Sequence, residues 1–179
     1  MKVIDTQIQD VKIIVPEVFG DERGFFMETW RQDIFNAQVA NRIFVQDNHS
    51  RSQRGVLRGL HYQTEQTQGK LIRVTSGKVF DVAVDMRKNS ATYGHWVGQV
   101  LSAKNRRQLW IPEGFAHGFY VMSDIAECAY KCTDYYHSDS EVSIRWDDPT
   151  LNIAWPCVTS PTLSGKDRTG LSFKRAPSL

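Results

Sequence analysis

The stretch Val79-Phe80-Asp81-Val82-Ala83-Val84-Asp85 decides the fold class of this chain. Within it, the apolar side chains at every second position from Phe80 to Val84 face one way, while Asp81 and Asp85 face the other. This two-residue period predicts a β-strand, because successive side chains of a strand point to opposite faces. The same pattern recurs outward from this stretch in both directions along the chain.

Segments with strand periodicity follow one another along most of the sequence, separated by turn residues such as Ser76-Gly77-Lys78. One short helix is predicted at Arg31–Ala40, and one helical turn near Lys166. Many short strands with almost no helix are typical of antiparallel sandwiches, jelly rolls and barrels, so we predict an all-β fold in one domain, residues 1–179. The predicted strands are Val11–Val15, Phe25–Trp30, Ile43–Asn48, Val56–Gln63, Leu71–Thr75, Val79–Asp85, Trp96–Leu101, Gln108–Ile111, Phe115–Val121, Ala126–Cys132 and Val142–Trp146.

The composition argues against two classes of partner. Lys and Arg number 22 while Asp and Glu number 20, and this formal net charge of +2 gives no support to nucleic-acid binding. No apolar run approaches the roughly 18 residues that span a bilayer, so no membrane partner is predicted. The N-terminal segment also lacks the apolar core of a secretory signal, and we therefore predict a cytoplasmic protein.

The three cysteines do not suggest a disulfide framework in such a chain. Cys128 and Cys132 have the spacing of half a metal site, or they are small buried residues on one strand face. The second interpretation is favoured, because no further ligand pair follows at zinc spacing. Neither common glycine-rich phosphate loop is present, so a phosphorylated ligand would have to be held mainly by side chains.

The segment from Arg54 to Gln63 contains the first candidate for chemistry, His61. A histidine inside an apolar strand is more often a hydrogen-bonded core residue than a catalyst. Strict alternation places His61 and Arg58 on opposite faces of the strand. If both contact one ligand, either a bulge at Gly59 or a location at the end of the strand must break the alternation, and glycine within a strand is typical of such bulges.

Other charged and polar residues stand at positions that suit ligand binding, although each alone is equally typical of a solvated turn or a core strand. Arg23 lies among turn residues, and Glu28 lies in the strand that follows. Together they could hold an anion and a polar ring edge. A Pro-x-Gly turn precedes the strand that contains His117 and fixes the face of the strand on which this side chain lies. Tyr130 shares a strand face with the two strand cysteines, and a buried tyrosine needs a partner for its hydroxyl. The turn around Asp167 is rich in charge.

The segment Pro112-x-Gly114-x-x-His117-Gly118 resembles the second motif of the cupin superfamily. The first cupin motif usually supplies His-x-His and a following Glu, but here Gln63 replaces the second histidine. We interpret the chain as a metal-free cupin on that basis. Within the superfamily, the whole chain resembles the dTDP-4-dehydrorhamnose 3,5-epimerase family, through Gly20-Asp21-x-Arg23-Gly24-x-Phe26-x-Glu28, Gln46-Asp47-Asn48-x-Ser50, Val56 to Gln63, Gln68-Gly69-Lys70-Leu71, Pro112 to Gly118, Tyr130-Lys131 and Ser164-x-Lys166-Asp167.

The resemblance implies a cupin-type antiparallel β-jelly roll, a double-stranded β-helix with a few short helices. It implies an isomerase that inverts C3 and C5 of dTDP-4-dehydro-6-deoxy-D-glucose, with no cofactor and no metal. His61 corresponds to the general base and Asp167 to its charged partner. Tyr130 corresponds to the acid on the opposite face of the sugar, and Lys70 to the residue beside the C4 oxygen.

The resemblance also implies a set of substrate-binding residues and a homodimer with exchanged N-terminal strands. Phe26 and Tyr136 are candidates for stacking on thymine. Two alternatives stay open: a sister enzyme that inverts only C3 or only C5, and a non-catalytic cupin that binds a sugar nucleotide. A metal-dependent cupin oxygenase is a more distant alternative. The implied substrate-binding residues are Arg23, Glu28, Gln46, Asn48, Arg58, His117, Glu141 and Lys166.

Overall fold

The computed structural model describes all 179 residues, and most of its regular structure is strand. Two short α-helices, α1 (Gln32–Gln38) and α2 (Gly165–Arg168), and one 3-10 turn at Ser138–Ser140 complete it. None of these helices is long or apolar enough to cross a bilayer. The strands are β1 (Lys2–Asp5), β2 (Lys12–Val15), β3 (Val18–Asp21), β4 (Gly24–Met27), β5 (Gln46–Gln53), β6 (Leu57–Gln63), β7 (Lys70–Ser76), β8 (Lys78–Asp85), β9 (Trp96–Ser102), β10 (Gln108–Ile111), β11 (Phe115–Val121), β12 (Ile125–Cys132) and β13 (Glu141–Ser143).

Two antiparallel sheets form the body of the fold. A six-stranded sheet has the order β1-β2-β10-β7-β12-β5, and a five-stranded sheet has the order β13-β6-β11-β8-β9. Most neighbours in these sheets are distant in sequence, as expected for a jelly roll, in which the chain passes repeatedly from one sheet to the other. The predicted all-β jelly-roll class is confirmed.

The two sheets face each other across one apolar core. Ile72 and Leu109 of the six-stranded sheet lie in the same buried cluster as Ala83, Leu101 and Phe115 of the five-stranded sheet. Complete burial of a side chain such as Leu101 contributes about 1.5–3 kcal/mol relative to leaving it in water. This core fixes the distance between the sheets, and the cavity described below lies between them.

Strand β8 shows the predicted alternation, but both of its faces are buried. Val79 and Ala83 point into the core between the sheets. Val82 and Val84 point to the outer face of the five-stranded sheet, where the C-terminal segment beyond Ile144 covers them. The strand therefore lies in the middle of the fold, as its near-continuous apolar sequence suggests.

An aromatic cluster covers the outer face of the six-stranded sheet. Phe35 of α1 lies 5.2 Å from Trp110, and Phe44 lies 4.7 Å from Trp30, measured between ring centroids. These contacts explain two boundaries that differ from the prediction. Strand β4 ends at Met27 because the chain leaves to place Trp30 in the cluster. Strand β5 begins at Gln46 rather than three residues earlier because Phe44 packs in the cluster instead of pairing.

The hairpin β3–β4 is a separate two-stranded sheet that has no ladder with either large sheet. It carries three exposed aromatic side chains, and Phe26 is 70% exposed. The other two are Phe19 and Phe25. Exposed aromatic side chains in one hairpin form an apolar surface that suits contact with another chain.

Candidate active site

A cavity of about 540 Å³ opens between the two sheets. Strands β5, β7 and β12 supply one wall and strands β6, β11 and β13 supply the opposite wall, while α2 and the segment before it lie along one side. Most of its lining is polar, which is unusual for space between two packed sheets. The polar side chains that line it are Gln46, Asn48, Ser50, Arg58, His61, Tyr62, Gln63, Gln68, Lys70, His117, Tyr130, Tyr136, Glu141, Thr162, Ser164, Lys166 and Asp167.

Of the two expected ways to break the alternation of β6, the structure shows the bulge at Gly59. The register between β6 and β11 slips beside Gly59, so Arg58 and His61 both line the cavity despite their odd spacing. Gly59 has a φ of +124°, and a Cβ atom there would lie 2.5 Å from the Cα atom of Gly118. A larger residue cannot occupy this position without displacing the backbone of β11.

His61 is held by a buried carboxylate. Its Nε2 atom lies 2.5 Å from Oδ1 of Asp167, whose side chain is 2% exposed. Ser164, the N-cap of α2, donates its hydroxyl to the other oxygen of Asp167 at 2.6 Å. Burial alone would raise the pKa of Asp167, but the hydrogen bonds from His61 and Ser164 outweigh it and lower this pKa. Asp167 is therefore ionised and fixes the orientation of the imidazole ring.

Lys70 and Tyr130 enter the cavity from the wall opposite His61. Lys70 begins β7, and Tyr130 lies in the adjacent strand β12. Burial lowers the pKa of Lys70, and nearby acidic groups only partly oppose this. Burial raises the pKa of Tyr130, so its phenol stays protonated at neutral pH. The cavity thus holds an imidazole on one wall and a protonated phenol and an amine on the other.

The exposed side of the cavity carries an ion pair. Nζ of Lys166 donates to Oε1 of Glu141 at 2.7 Å, and the hydroxyl of Tyr136 donates to Oε2 of the same carboxylate at 3.1 Å. Lys166 is thereby neutralised, whereas Arg58 and Lys70 form no salt bridge with any residue of the chain. Two cations without carboxylate partners in one cavity favour an anionic ligand.

His117 also has a carboxylate partner. Its Nε2 atom lies 3.0 Å from both oxygens of Asp81, which is fully buried in β8. The family resemblance implied His117 as a site residue, but Asp81 was not predicted as its partner. The signal was an acidic residue in the middle of an apolar strand. Ser164 was likewise missed, although Ser-x-x-Asp before a helical turn is the pattern of an N-cap.

Ten of the twelve residues implied by the family resemblance line this cavity, and two do not. Arg23 lies at the tip of the β3–β4 hairpin, where it pairs with Asp21 at 2.5 Å and its side chain is 86% exposed. Glu28 follows the same hairpin and lines a different hollow beside Trp30. The hairpin thus holds both residues apart from the cavity of their own chain. The ten residues in the cavity are Gln46, Asn48, Arg58, His61, Lys70, His117, Tyr130, Glu141, Lys166 and Asp167.

Cys128 and Cys132 are both buried on the inner face of β12, which confirms that they serve as small core residues. The amide nitrogen of Asn48 lies 3.6 Å from the sulfur of Cys132. Nowhere in the chain do three His, Cys, Asp or Glu side chains gather as a potential metal-binding group.

Comparison with known proteins identifies the family of the chain. The sequence model of the dTDP-4-dehydrorhamnose 3,5-epimerase family matches residues 5–175. The chain belongs to this family. A dTDP-4-dehydrorhamnose 3,5-epimerase of Neisseria gonorrhoeae is 60% identical to this chain. The match covers 98% of this chain but only 54% of the length of that protein. The Shigella flexneri epimerase is 59% identical, and the match covers 97% of this chain and 96% of that protein.

Solved structures of epimerases in the family share the fold. The crystal structure of a dTDP-6-deoxy-D-glucose-3,5-epimerase from Legionella pneumophila in complex with dTDP-4-keto-L-rhamnose has a TM-score of 0.97 with this chain. It is 53% identical in sequence, and the match covers 99% of this chain and 98% of that one. The epimerase fold, including the strands that form the cavity walls, is thus common to both proteins.

Proposed function

We propose that this chain inverts C3 and C5 of dTDP-4-dehydro-6-deoxy-D-glucose to give dTDP-4-dehydro-L-rhamnose, in dTDP-L-rhamnose biosynthesis. The observation that carries the proposal is the placement of His61 and Tyr130 on opposite walls of one cavity, with Lys70 beside them. Inversion at carbon requires that a proton leave from one face of the ring and return on the other. A base and an acid on facing walls meet that requirement.

His61 acts as the base. Its Nε2–H donates to Asp167, which leaves the lone pair of Nδ1 to remove a proton from the carbon next to the C4 ketone. As the imidazolium forms, the charge of Asp167 stabilises it, in the way that the carboxylate of a hydrolytic triad does. Because Asp167 is fixed by Ser164, the ring is already oriented before substrate binds.

Lys70 stabilises the enolate. Removal of a proton next to a ketone places negative charge on the ketone oxygen, and no redox cofactor is needed for this step. An ammonium group in a site shielded from water stabilises that charge far more than it would in bulk water. The lowered pKa of Lys70 also makes its proton easier to share with the enolate oxygen.

Tyr130 returns the proton on the other face. Its raised pKa keeps the phenol protonated until the enolate needs a proton. A protein that only binds the sugar nucleotide would need neither this acid nor the His61 base. Both groups lie in the same cavity and so favour the enzyme over the non-catalytic alternative.

The deuterium content of the sugar tests the reaction. In deuterated buffer, NMR of dTDP-4-dehydro-6-deoxy-D-glucose with the full chain should show deuterium at two carbons, C3 and C5, and a rhamno-configured product. Deuterium at one position would identify a monofunctional epimerase instead, and no deuterium would identify a binding protein.

Dialysis against EDTA should leave the rate unchanged, since we propose a reaction without metal or other cofactor. Activity lost to EDTA and restored by a divalent ion would contradict the metal-free assignment.

We further propose that two copies of the chain form a homodimer in which the β3–β4 hairpin of each completes the site of the other. The exposed aromatic side chains of the hairpin and its lack of any ladder with the large sheets support this. Arg23 and Glu28, which do not reach the cavity of their own chain, would then bind substrate in the partner's cavity. Phe26 would lie beside thymine there.

A complementation experiment tests this arrangement. Arg23→Ala and His61→Asn are each expected to be weakly active alone. When the two are mixed and refolded together, one site of each mixed dimer contains an intact His61 and an intact Arg23, so activity should return. If light scattering gives a monomer, or mixing restores no activity, the exchanged arrangement is wrong.

Residues 1–179 would act as one epimerase unit on a dTDP-sugar. The cytoplasmic location stays a prediction from the sequence.

A further inference from the structure

Lys70 is the first residue of β7, so the chain on its N-terminal side lies outside the strand ladder. Lys70 itself pairs with Ile111 of β10 and with Cys132 of β12, but no ladder pair includes Gly69. The ends of strands open more readily than their middles unless other contacts hold them. The place from which the Lys70 side chain enters the cavity therefore depends on what holds Gly69.

Thr133 holds the backbone of Gly69. Its hydroxyl accepts a hydrogen bond from the backbone N–H of Gly69 at 2.8 Å, and its own backbone N–H donates to the carbonyl oxygen of Gly69 at 3.0 Å. A side chain thus extends the pairing of β7 with β12 by one residue. One residue earlier, the amide of Gln68 donates to the carbonyl oxygen of Asp134 at 2.9 Å. The two residues before Lys70 are therefore both tied to the segment that follows β12.

Glu113 orients the hydroxyl of Thr133. A hydroxyl has one proton, and because Thr133 accepts from Gly69, it donates this proton elsewhere, to Oε1 of Glu113 at 2.9 Å. Nε of Arg42 donates to the same oxygen at 2.9 Å, and the Glu113 side chain is 23% exposed. Hydrogen bonds to an ionised acceptor are stronger than those between neutral groups. The carboxylate therefore keeps a lone pair of the Thr133 hydroxyl turned toward Gly69.

The backbone at Gly69 is also tightly enclosed. A Cβ atom at this position would lie 2.5 Å from the ring of Trp110 and 3.1 Å from Oε1 of Glu113. Trp110 is buried in the aromatic cluster on the outer face of the six-stranded sheet. Gly69 is thus held between a fixed ring and a fixed carboxylate, which leaves its backbone little room to move.

We propose that Thr133 and Glu113 are positioning residues for Lys70, which fix the backbone at Gly69 and thereby the location of the Lys70 amine. Neither Thr133 nor Glu113 lines the cavity, so their effect on the reaction passes through Lys70. This proposal rests on the proposed function, because it takes Lys70 as the group that stabilises the enolate.

The variant Thr133→Val keeps the shape of the side chain and removes the hydroxyl. It should lower kcat about 10-fold or more, because misplacing a group that acts at the transition state by about 1 Å costs as much as about 10²-fold in rate. The affinity for dTDP, measured by calorimetry, should change little, since dTDP lacks the ketone that Lys70 stabilises. Thr133→Ser retains the hydroxyl and should restore most of kcat.

Thr75→Val is the matched control. Thr75 is exposed near the other end of β7, where its hydroxyl donates to the carbonyl oxygen of Glu127 at 3.3 Å, and this variant should keep wild-type kcat. Wild-type kcat in Thr133→Val would overturn the positioning role. Loss of dTDP affinity in parallel with kcat would also overturn it, because that result indicates a general defect of the fold.

Substitutions of Glu113 provide a second test that leaves Thr133 intact. Glu113→Gln retains an oxygen that accepts from the Thr133 hydroxyl, so it should keep most of the turnover. Glu113→Ala removes the acceptor and should lower kcat with little change in dTDP affinity, as Thr133→Val does. Equal kcat in the two Glu113 variants would show that the hydrogen bond to Thr133 has no part in catalysis.

Two further measurements on Thr133→Val distinguish Lys70 from the other two groups of the site. In deuterated buffer, exchange of the sugar protons should fall together with product formation, because enolate formation itself is slowed. Preserved exchange would place the defect at Tyr130. The acidic limb of the pH profile of kcat/KM, which reports the His61 base, should not move. A shifted limb would place the defect at His61, and either of these results would overturn the proposal.

The wild-type protein and the variant Lys70→Met separate this proposal from the proposed function. If wild-type protein exchanges deuterium into the sugar and Thr133→Val turns over normally, the positioning role is wrong and the epimerase assignment stands. If Thr133→Val is slow but Lys70→Met keeps wild-type turnover, the effect does not pass through Lys70 and the proposal is overturned. If wild-type protein exchanges no deuterium, the epimerase assignment fails and the positioning role fails with it.

Discussion

Replacing His61 with asparagine should lower kcat by about 10²- to 10⁴-fold, the contribution expected of a positioned general base. Asparagine has a side-chain amide that can still donate to Asp167, so the local packing is retained while the basic nitrogen is lost. The affinity for dTDP, measured by calorimetry, should change little. Deuterium exchange at both C3 and C5 should fall together with turnover, because the same base serves both carbons.

The control for this variant is His49→Asn. His49 is exposed on the outer face of β5, where it pairs with Glu127, and it does not line the cavity. This variant should keep wild-type kcat. Near-normal turnover in His61→Asn would remove His61 as the base and leave the other imidazole of the cavity, His117, to be considered for that role.

Replacing Tyr130 with phenylalanine should separate proton removal from inversion. His61 still forms the enolate, so the substrate should continue to exchange a carbon-bound proton with deuterated solvent. Net epimerisation should nevertheless fall by about 10²-fold or more, because the acid on the opposite wall is gone and deuterium returns from the side of the base. NMR in deuterated buffer measures exchange and product in one experiment.

Tyr135→Phe is the matched control for that variant. Tyr135 is 61% exposed and is not part of the cavity lining, so its loss should alter neither exchange nor product. Two results would contradict the two-sided scheme. One is full product formation by Tyr130→Phe, and the other is a complete loss of exchange with the base still in place.

The strands that were predicted best are those whose alternation serves an apolar core. Strands β10 and β11 have the predicted bounds, and β8 is one residue longer than predicted. Strand β5 was predicted poorly, since the apolar pattern indicates Ile43–Asn48, whereas the polar segment Gln46–Gln53 forms the strand. Its inner face meets a polar cavity, so the hydrophobic pattern that identifies other strands is absent.

The predictability of the site differed between its parts. The bulge at Gly59 was one of two possibilities that the residues offered, because Arg58 and His61 can contact one ligand only if the alternation breaks at a bulge or the strand ends there. The facing placement of His61 and Tyr130 did not follow from the residues, since it depends on which sheet each strand joins, and such long-range pairing leaves no local signal. The buried partner Asp81 was visible only as a charge in an apolar strand.

The close approach of Gly59 and Gly118 couples two functions proposed for the cavity, proton abstraction and substrate binding. A side chain at Gly59 would meet the backbone of β11, and one at Gly118 would lie 2.8 Å from the carbonyl oxygen of Arg58. His61, the proposed base, and Arg58, a proposed substrate-binding residue, lie on either side of this contact. Pushing the strands apart would therefore shift proton abstraction and substrate anchoring at once. A substitution that improves one of these functions without disturbing the other must therefore lie outside the contact between Gly59 and Gly118.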